Sequence, residues 1–239
     1  AAASLYRGAT SLFDIDRALV VVPDSYRLPE PAENQAIVTG GHPAMTASSF
    51  RAGSTLFDFV SSSLRPIVFL VSGGSSACAE RSLQPWFDDG AVAALNEILV
   101  RSGLPIASIN TVRKHVSALK GGRLAGATAK PVLTLVYSDV AAGDLASVGS
   151  GPTIADPTTN REAAAVLDSI ASNREPLLSA VAERLRNENL PDTPFALPHV
   201  SNLLIADNRT LVETAAGIAR RSFEHCVVLN EDVDGDVEE

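Results

Sequence analysis

The chain has 239 residues, 46% of them hydrophobic, and its 19 Lys and Arg against 28 Asp and Glu leave a net charge of −9. That length and hydrophobic content suffice to bury a sizeable core, as one large α/β domain or two small ones. The acidic balance argues against general binding to nucleic acid or to a membrane surface, both of which want a broad basic face, so any anion site must be local. Cys78 and Cys226 are too few and too far apart for a disulfide framework, and a reducing cytoplasm is the default compartment. No apolar run approaches the roughly 20 residues that span a bilayer.

In chain order, residues 1–13 predict a helix, and residues 17–22 (Arg-Ala-Leu-Val-Val-Val) a buried strand that Pro23 and Asp24 end. A short strand at Ile37 and Val38 leads into Gly41-His-Pro43, and residues 48–64 predict a helix despite Gly53. Residues 66–71 (Pro-Ile-Val-Phe-Leu-Val) are continuously apolar and short, the pattern of a buried parallel strand, and run straight into Ser72-Gly-Gly-Ser-Ser76. A helix follows at 91–101, then a cationic helix discussed below, then a second buried strand at 131–137 that delivers Ser138 and Asp139 to a loop holding Gly143-Asp144 and Gly149-Ser-Gly-Pro-Thr153. Helices at 161–172 and 176–189, a strand at 203–206, a helix at 209–221 and a strand at 226–229 complete the order, before an acidic loop at 231–239. Strands alternating with helices predict an α/β fold with an open, mostly parallel, Rossmann-like sheet and helices on both faces. Ligands then gather at the carboxyl ends of the strands, where the glycine-rich loops fall.

The stretch from Asn110 to Ala125 reads as a helix capped at Asn110 or Thr111 and stopped by Gly121-Gly122. At about 100° per residue, Asn110, Arg113, Lys114, Ser117, Lys120 and Gly121 share one stripe, with Val112, Val116 and Leu119 on an adjoining apolar face. Periodicity alone describes either a solvated face or a site. No Asp or Glu occurs between Gly103 and Ser138, whereas Arg113, Lys114, Lys120, Arg123 and Lys130 do, and a basic island in an acidic chain suggests an anionic ligand.

Ser72-Gly-Gly-Ser-Ser76 combines glycines, which let backbone amides approach an anion, with hydroxyls that donate to its oxygens; the alternative is a plain tight turn. It is neither a Gly-x-x-x-x-Gly-Lys loop nor a Gly-x-Gly-x-x-Gly loop, so a standard nucleotide motif is absent. Asp139 ends an apolar strand as Mg²⁺-binding carboxylates do, with Asp144 as a second candidate, although lone aspartates more often serve as turn or cap residues. His42 is placed to contact a substrate oxygen or shuttle a proton, His115 is as consistent with structure as with function, and Asp156 reads as the start of a helix.

Together, Gly41-His-Pro43, Ser72-Gly-Gly74, Asn110-Thr-Val-Arg-Lys-His-Val-Ser117, Lys120-Gly-Gly-Arg-Leu-Ala125, Ser138-Asp-Val140 and Ser150-Gly-Pro-Thr153 resemble the type II glycerate kinases. These are glycerate 2-kinases with a large N-terminal domain and a smaller C-terminal MOFRL domain, and the resemblance covers the large domain. It implies transfer of the ATP γ-phosphoryl group to the 2-hydroxyl of D-glycerate, with Mg²⁺, in a cleft between the two domains. On this resemblance Arg113, Lys114 and Lys120 supply catalytic positive charge. His42, Ser72, Gly73, Gly74, Ser76, Asn110, Ser117, Gly121 and Gly122 hold substrate or phosphate, and Asp139 and Asp144 reach the metal. The family's Gly-Lys pair would lie just before Ala1 and its MOFRL domain beyond Glu239, so a fragment inactive by itself is expected. A homodimer is also among the expectations. Ser75 stands in place of a third glycine, Met45-Thr46 in place of Pro-Asp, and the Gly-Asp of the loop after Val140 is displaced by one residue. Two other readings are a hydroxypyruvate reductase, which lacks its dinucleotide fingerprint here, and a non-catalytic α/β module that binds a small anion.

Overall fold

The computed structural model describes residues 2–26, 30–31, 33–138, 144–171 and 175–228. Helix α1 (Ala2–Thr10) leads into strand β1 (Ala18–Pro23), which pairs in parallel with β2 (Gln35–Gly40). Helix α2 (Ala47–Ser61) starts at Thr46, where a capping box with Ser49 meets the first orphan amides. Strand β3 (Ile67–Ser72) is followed by the single turn α3 (Ser75–Cys78), then α4 (Asp89–Arg101), α5 (Ile106–Val116) and the short α6 (Arg123–Gly126). Strand β4 (Val132–Tyr137) precedes a 3₁₀ segment (Leu145–Ser150), α7 (Asn160–Ile170), α8 (Pro176–Asn187), β5 (Val200–Ala206) and α9 (Asn208–Ala219).

Every named strand pairing is parallel, as the alternation of elements predicts. The strands form two sheets rather than one: β1-β2, and β3-β4-β5 with β4 in the centre. Helix α1 touches both β1 and β3, and a cleft of about 1270 Å³ is lined by both of these strands.

The largest core lies within a helical layer, not on a sheet: Leu95 and Leu99 of α4, Val112 and Val116 of α5, Leu167 of α7, and Leu178, Val181 and Leu185 of α8 are all buried together. A second core joins Val60 of α2 to Ile67 of β3, Val132 of β4, Leu119 and Leu124, and so ties the segment after α5 to the larger sheet. At the far end of the fold large apolar side chains stay exposed. Leu203, Leu204 and Ile205 of β5 are exposed, as are Leu211, Val212 and Ile218 of α9, because among the described residues no further element covers this edge of the sheet. Residues 226–228 are not strand, and Leu229 of the predicted strand, like the acidic stretch after it, lies outside the described residues. No helix among the described residues is long and apolar enough to cross a membrane.

Gly53 sits inside α2, where glycine costs about 1 kcal/mol relative to alanine. The reason is a close approach: a Cβ there would stand 2.0 Å from the carbonyl oxygen of Glu80. The backbone of Glu80 is docked against this helix through its amide, which donates to Ser49 O at 3.0 Å. Gly53→Ala is therefore expected to lower stability by about 1–3 kcal/mol, the cost of overpacking, even though it improves helix propensity; chemical denaturation of wild type and variant measures the difference.

Candidate active site

The cationic segment is built differently from the ten-residue helix expected at Asn110. Helix α5 begins four residues earlier, with Pro105 at its N-cap, and stops at Val116; Ser117 is extended (φ −109°, ψ 142°). What stops it is tertiary pairing and not the glycine pair. Ser117 forms an antiparallel bridge with Ser82, Ala118 N donates to Arg81 O at 2.7 Å, and Leu83 N donates to Val116 O at 2.9 Å. Lys120 and Gly121 consequently leave the helical stripe on which the spacing placed them.

The stripe is also buried where it was expected to present charge. Lys120 is 2% exposed and its Nζ pairs with Glu80 Oε2; Glu80 is itself 1% exposed. Ser117 donates from Oγ to Glu80 Oε1 and accepts from the amides of Leu119 (3.1 Å) and Lys120 (3.2 Å). Lys114 Nζ donates to Asp156 Oδ1 at 3.1 Å. Asp156, 2% exposed, also accepts from Thr158 (2.6 Å) and Thr193 (2.9 Å). Asp156 is thus a buried hub and not merely the start of a helix; the cap of α7 is Thr159, in a capping box with Glu162. The acid-free stretch 103–138 draws counter-charges from elsewhere in the chain, so Lys114 and Lys120 of its basic island are met by the protein's own carboxylates.

Like Arg123, whose guanidinium donates to the backbone oxygens of Lys114 and Pro191, Arg113 has no carboxylate partner among the described residues. Its Nε donates to the neutral amide oxygen of Asn96 at 2.8 Å. Burial lowers its pKa from the ordinary arginine value and the nearby Glu80 charge opposes this; an arginine remains charged regardless. His115 is fully buried, with Nδ1 2.7 Å from Asn160 Oδ1 and Nε2 3.1 Å from Thr158 Oγ1, which makes it a structural residue.

Three glycine-rich segments converge beside these groups. Gly121 N donates to Ser150 O at 3.0 Å and Gly122 N to Gly151 O at 2.7 Å, so these two amides serve the neighbouring loop and not a ligand. Gly149 and Gly151 both have positive φ and enclose Ser150, a non-glycine residue at φ 60°. A Cβ on Gly149 would stand 2.5 Å from Ser75 Oγ, which shows how closely this loop packs on residues 72–76. Ser76 Oγ lies 2.9 Å from Ser150 Oγ, and Ser150 Oγ donates to Asn110 Oδ1 at 2.9 Å. The exposed His42 lies over Gly74, its Nε2 3.1 Å from where a Cβ would be. His42, Ser72, Gly73, Gly74, Lys120 and Gly149 all line the 1270 Å³ cleft.

The structure therefore brings His42, Ser72, Gly73, Gly74, Ser76, Asn110, Lys120, Gly121 and Gly122 into one neighbourhood. Lys114 and Ser117 sit behind it as buried supports. Asp144 is exposed and caps the 3₁₀ segment, one carboxylate oxygen accepting from Ser147 N at 3.2 Å and the other from Ser147 Oγ. Asp139 lies outside the described residues. The sequence reading missed Glu80, Asp156 and Ser150. The signal for the first two was the acid-free basic stretch itself, since cations that become buried need carboxylates from other segments.

Comparison with known proteins bears on the same residues. Residues 1–186 match a family model described as a domain of unknown function, DUF4147. A glycerate 2-kinase of Sulfurisphaera tokodaii is 38% identical over 155 residues, 64% of this chain and 38% of that protein. A protein of Agrobacterium vitis, provisionally named a hydroxypyruvate reductase, is 39% identical over 160 residues, 64% of this chain and 35% of its own length. The crystal structure of glycerate kinase from Thermotoga maritima is similar with a TM-score of 0.73 and 29% identity, covering 88% of this chain and 50% of that one. This chain spans half or less of the length of each of these proteins.

Removing one member of a buried ion pair strands the other, at a cost of about 3–5 kcal/mol. Lys120→Met is expected to destabilise the protein by that amount, and adding Glu80→Leu to it should recover much of the loss; urea unfolding of the single and double variants tests this. Two buried groups also make the fold acid-sensitive. Burial holds the His115 pKa below its ordinary 6.5, opposed by the Asn160 hydrogen bond and the Asp156 charge. Burial would raise the Asp156 pKa, but the Thr158 hydrogen bond, the Lys114 charge and the Lys114 and Thr193 hydrogen bonds together bring it below 3.8. A depressed pKa of either kind gives stability that is complete above the unfolded value and is lost as pH falls. Melting temperature should thus decline from pH 6.5 downward through His115 and again below 3.8 through Asp156, and His115→Gln should flatten the upper of these two declines.

Proposed function

Because this chain belongs to the DUF4147 domain family, and relatives over much of its length are named glycerate kinases, we propose that it is the large lobe of an ATP-dependent glycerate 2-kinase. The reaction transfers the γ-phosphoryl group to the 2-hydroxyl of D-glycerate and yields 2-phosphoglycerate. The observation that carries this reading is the packing together of the 72–76, 120–122 and 149–152 segments, from which Ser72, Gly73, Gly74, Lys120 and Gly149 line one cleft with His42. Phosphoryl transfer asks a protein for position and charge more than for a covalent nucleophile, and such a site supplies both.

In this reading residues 72–76 hold an anionic group of a substrate, the phosphate or the glycerate carboxylate, through backbone amides and hydroxyls. His42, exposed and lying over Gly74, is positioned beside that group. Arg113 is a cation able to engage an anion, since a bidentate fork held by one neutral amide keeps its other donors. Lys114 and Lys120 act differently from first expectation: locked on Asp156 and Glu80, they hold the wall of the cleft in place and contribute local potential. A second lobe of the MOFRL type would close the cleft from the other side.

Among the described residues no group of three or more His, Cys, Asp or Glu side chains is gathered for a metal, and both oxygens of Asp144 accept from Ser147, so a magnesium ion here would depend on few protein ligands. A magnesium ion would rest on one carboxylate and the phosphates of its nucleotide, with water completing its shell. Asp139 remains the proposed carboxylate on the sequence pattern alone.

A second reading, hydroxypyruvate reduction, has the name of the Agrobacterium vitis relative in its favour. The chain carries no Gly-x-Gly-x-x-Gly loop to seat a dinucleotide.

Incubating the full-length gene product with D-glycerate and Mg-ATP should give 2-phosphoglycerate; no phosphorylated product, or oxidation of NADH with hydroxypyruvate, would replace the kinase reading. Arg113→Ala should weaken binding of the anionic substrate by about 1–3 kcal/mol, the worth of a charged hydrogen bond, and calorimetry giving an unchanged affinity would remove Arg113 from the site.

A further inference from the structure

The Ser76, Ser150 and Asn110 side chains form a chain of hydrogen bonds whose proton order follows from counting donors. A serine hydroxyl carries one proton. Ser150 donates its proton to Asn110 Oδ1 at 2.9 Å, so across the 2.9 Å contact between the two hydroxyls Ser76 is the donor. In this order Ser76 has spent its proton on Ser150 and has only lone pairs left to offer. At the other end Asn110, 4% exposed, has an amide nitrogen buried without a hydrogen-bond partner among the described residues. A buried orphan N–H donor is rare and unfavourable, more so than an orphan carbonyl oxygen.

Ser150 is held for this role. It is 1% exposed and sits at φ 60° between two glycines, and its carbonyl oxygen accepts from Gly121 N at 3.0 Å. A non-glycine residue in the left-handed region persists only where its surroundings over-determine it. The hydroxyl is the one thing that serine supplies there and glycine would not.

We propose that Asn110, Ser150 and Ser76 form a relay whose direction reverses when an anion docks on the 72–76 loop. The Asn110 amide turns over, Nδ2 donates to Ser150 Oγ, Ser150 donates to Ser76, and Ser76 donates to a carboxylate or phosphate oxygen. The turnover replaces the orphan N–H by the less costly orphan carbonyl, but with no anion it would leave the Ser76 proton without an acceptor; a negative group on the loop accepts that proton and tips the balance. Ser150 and Asn110 are then positioning residues that select an anionic ligand over a neutral one. This rests on the reading above that residues 72–76 hold an anion of the substrate.

The test is a double-mutant cycle on the full-length protein, with D-glycerate and inorganic phosphate as separate calorimetric titrants to distinguish a carboxylate from a phosphate. Asn110→Asp is nearly isosteric but only accepts, so it locks the relay in its empty order; binding of the docked anion should weaken about tenfold or more, the worth of a charge-assisted hydrogen bond. Its added charge would act through space whether or not the relay exists. The deciding arm is therefore Asn110→Asp made on Ser150→Gly, where the relay is already cut and the further loss should nearly vanish. Losses that multiply independently in the double variant would overturn the proposal, as would a wild-type protein that binds neither anion. Should Asn110→Asp fail to fold, the wild-type Asn110 side-chain amide resonances must shift on saturation with whichever anion binds; unmoved resonances overturn the relay. Coupled losses in a protein without glycerate-dependent ATP turnover would overturn the kinase reading and leave the relay standing, whereas turnover with independent losses would do the reverse.

Discussion

The buried pair of Glu80 and Lys120 is the constraint on which the rest of the site depends. Glu80 arrives from the segment after α3, where the missing side chain of Gly53 lets its backbone press against α2. Its carboxylate then takes Lys120 on one oxygen and Ser117 on the other. Two desolvated charges gain from their mutual attraction only when the remaining lone pairs and protons are also met. The Ser117 hydrogen bond helps to meet that condition, and it is the extended backbone at Ser117 that makes it reachable.

From this pair the geometry of the glycine-rich segments follows. With Lys120 drawn down onto Glu80, the chain must turn sharply, and Gly121 and Gly122 do so with positive φ. Their amides are thereby aimed at the carbonyl oxygens of Ser150 and Gly151, which ties the 149–152 loop in place. That loop in turn packs on residues 72–76 at the end of β3. A second buried pair, Lys114 with Asp156, ties α5 to the segment before α7, and the α7 and α8 helices complete the core around α5. The two lysines of the stripe are thus held in buried ion pairs, whereas Arg113 is held by a neutral amide and Arg123 by backbone oxygens.

The strands were legible because a short apolar run bounded by turn residues has few other uses: 66–71 differs from the observed β3 by one residue at each end, and 131–137 from β4 by one residue at its start. The helix around Asn110 was legible in kind and wrong in extent. Its start at Ile106 carries no conventional cap, and its end is imposed by pairing with residues 81–83, which lie far away in sequence. Helical spacing beyond Val116 therefore described a face that does not exist. The roles of Glu80 and Asp156 were invisible for the same reason, since nothing in the neighbourhood of either residue announces a lysine 40 or 42 positions away.

By itself the sequence determined the parallel α/β character, the positions of the glycine-rich turns and the run of motifs from Gly41 to Thr153, because each depends on residues close together in the chain. Which cations are free, where the glycine amides point and which way the Ser76 hydroxyl faces were decided only by the tertiary structure. Those properties belong to pairs of groups and to the dielectric around them, and a lysine becomes a strut or a catalyst according to whether folding buries a carboxylate beside it.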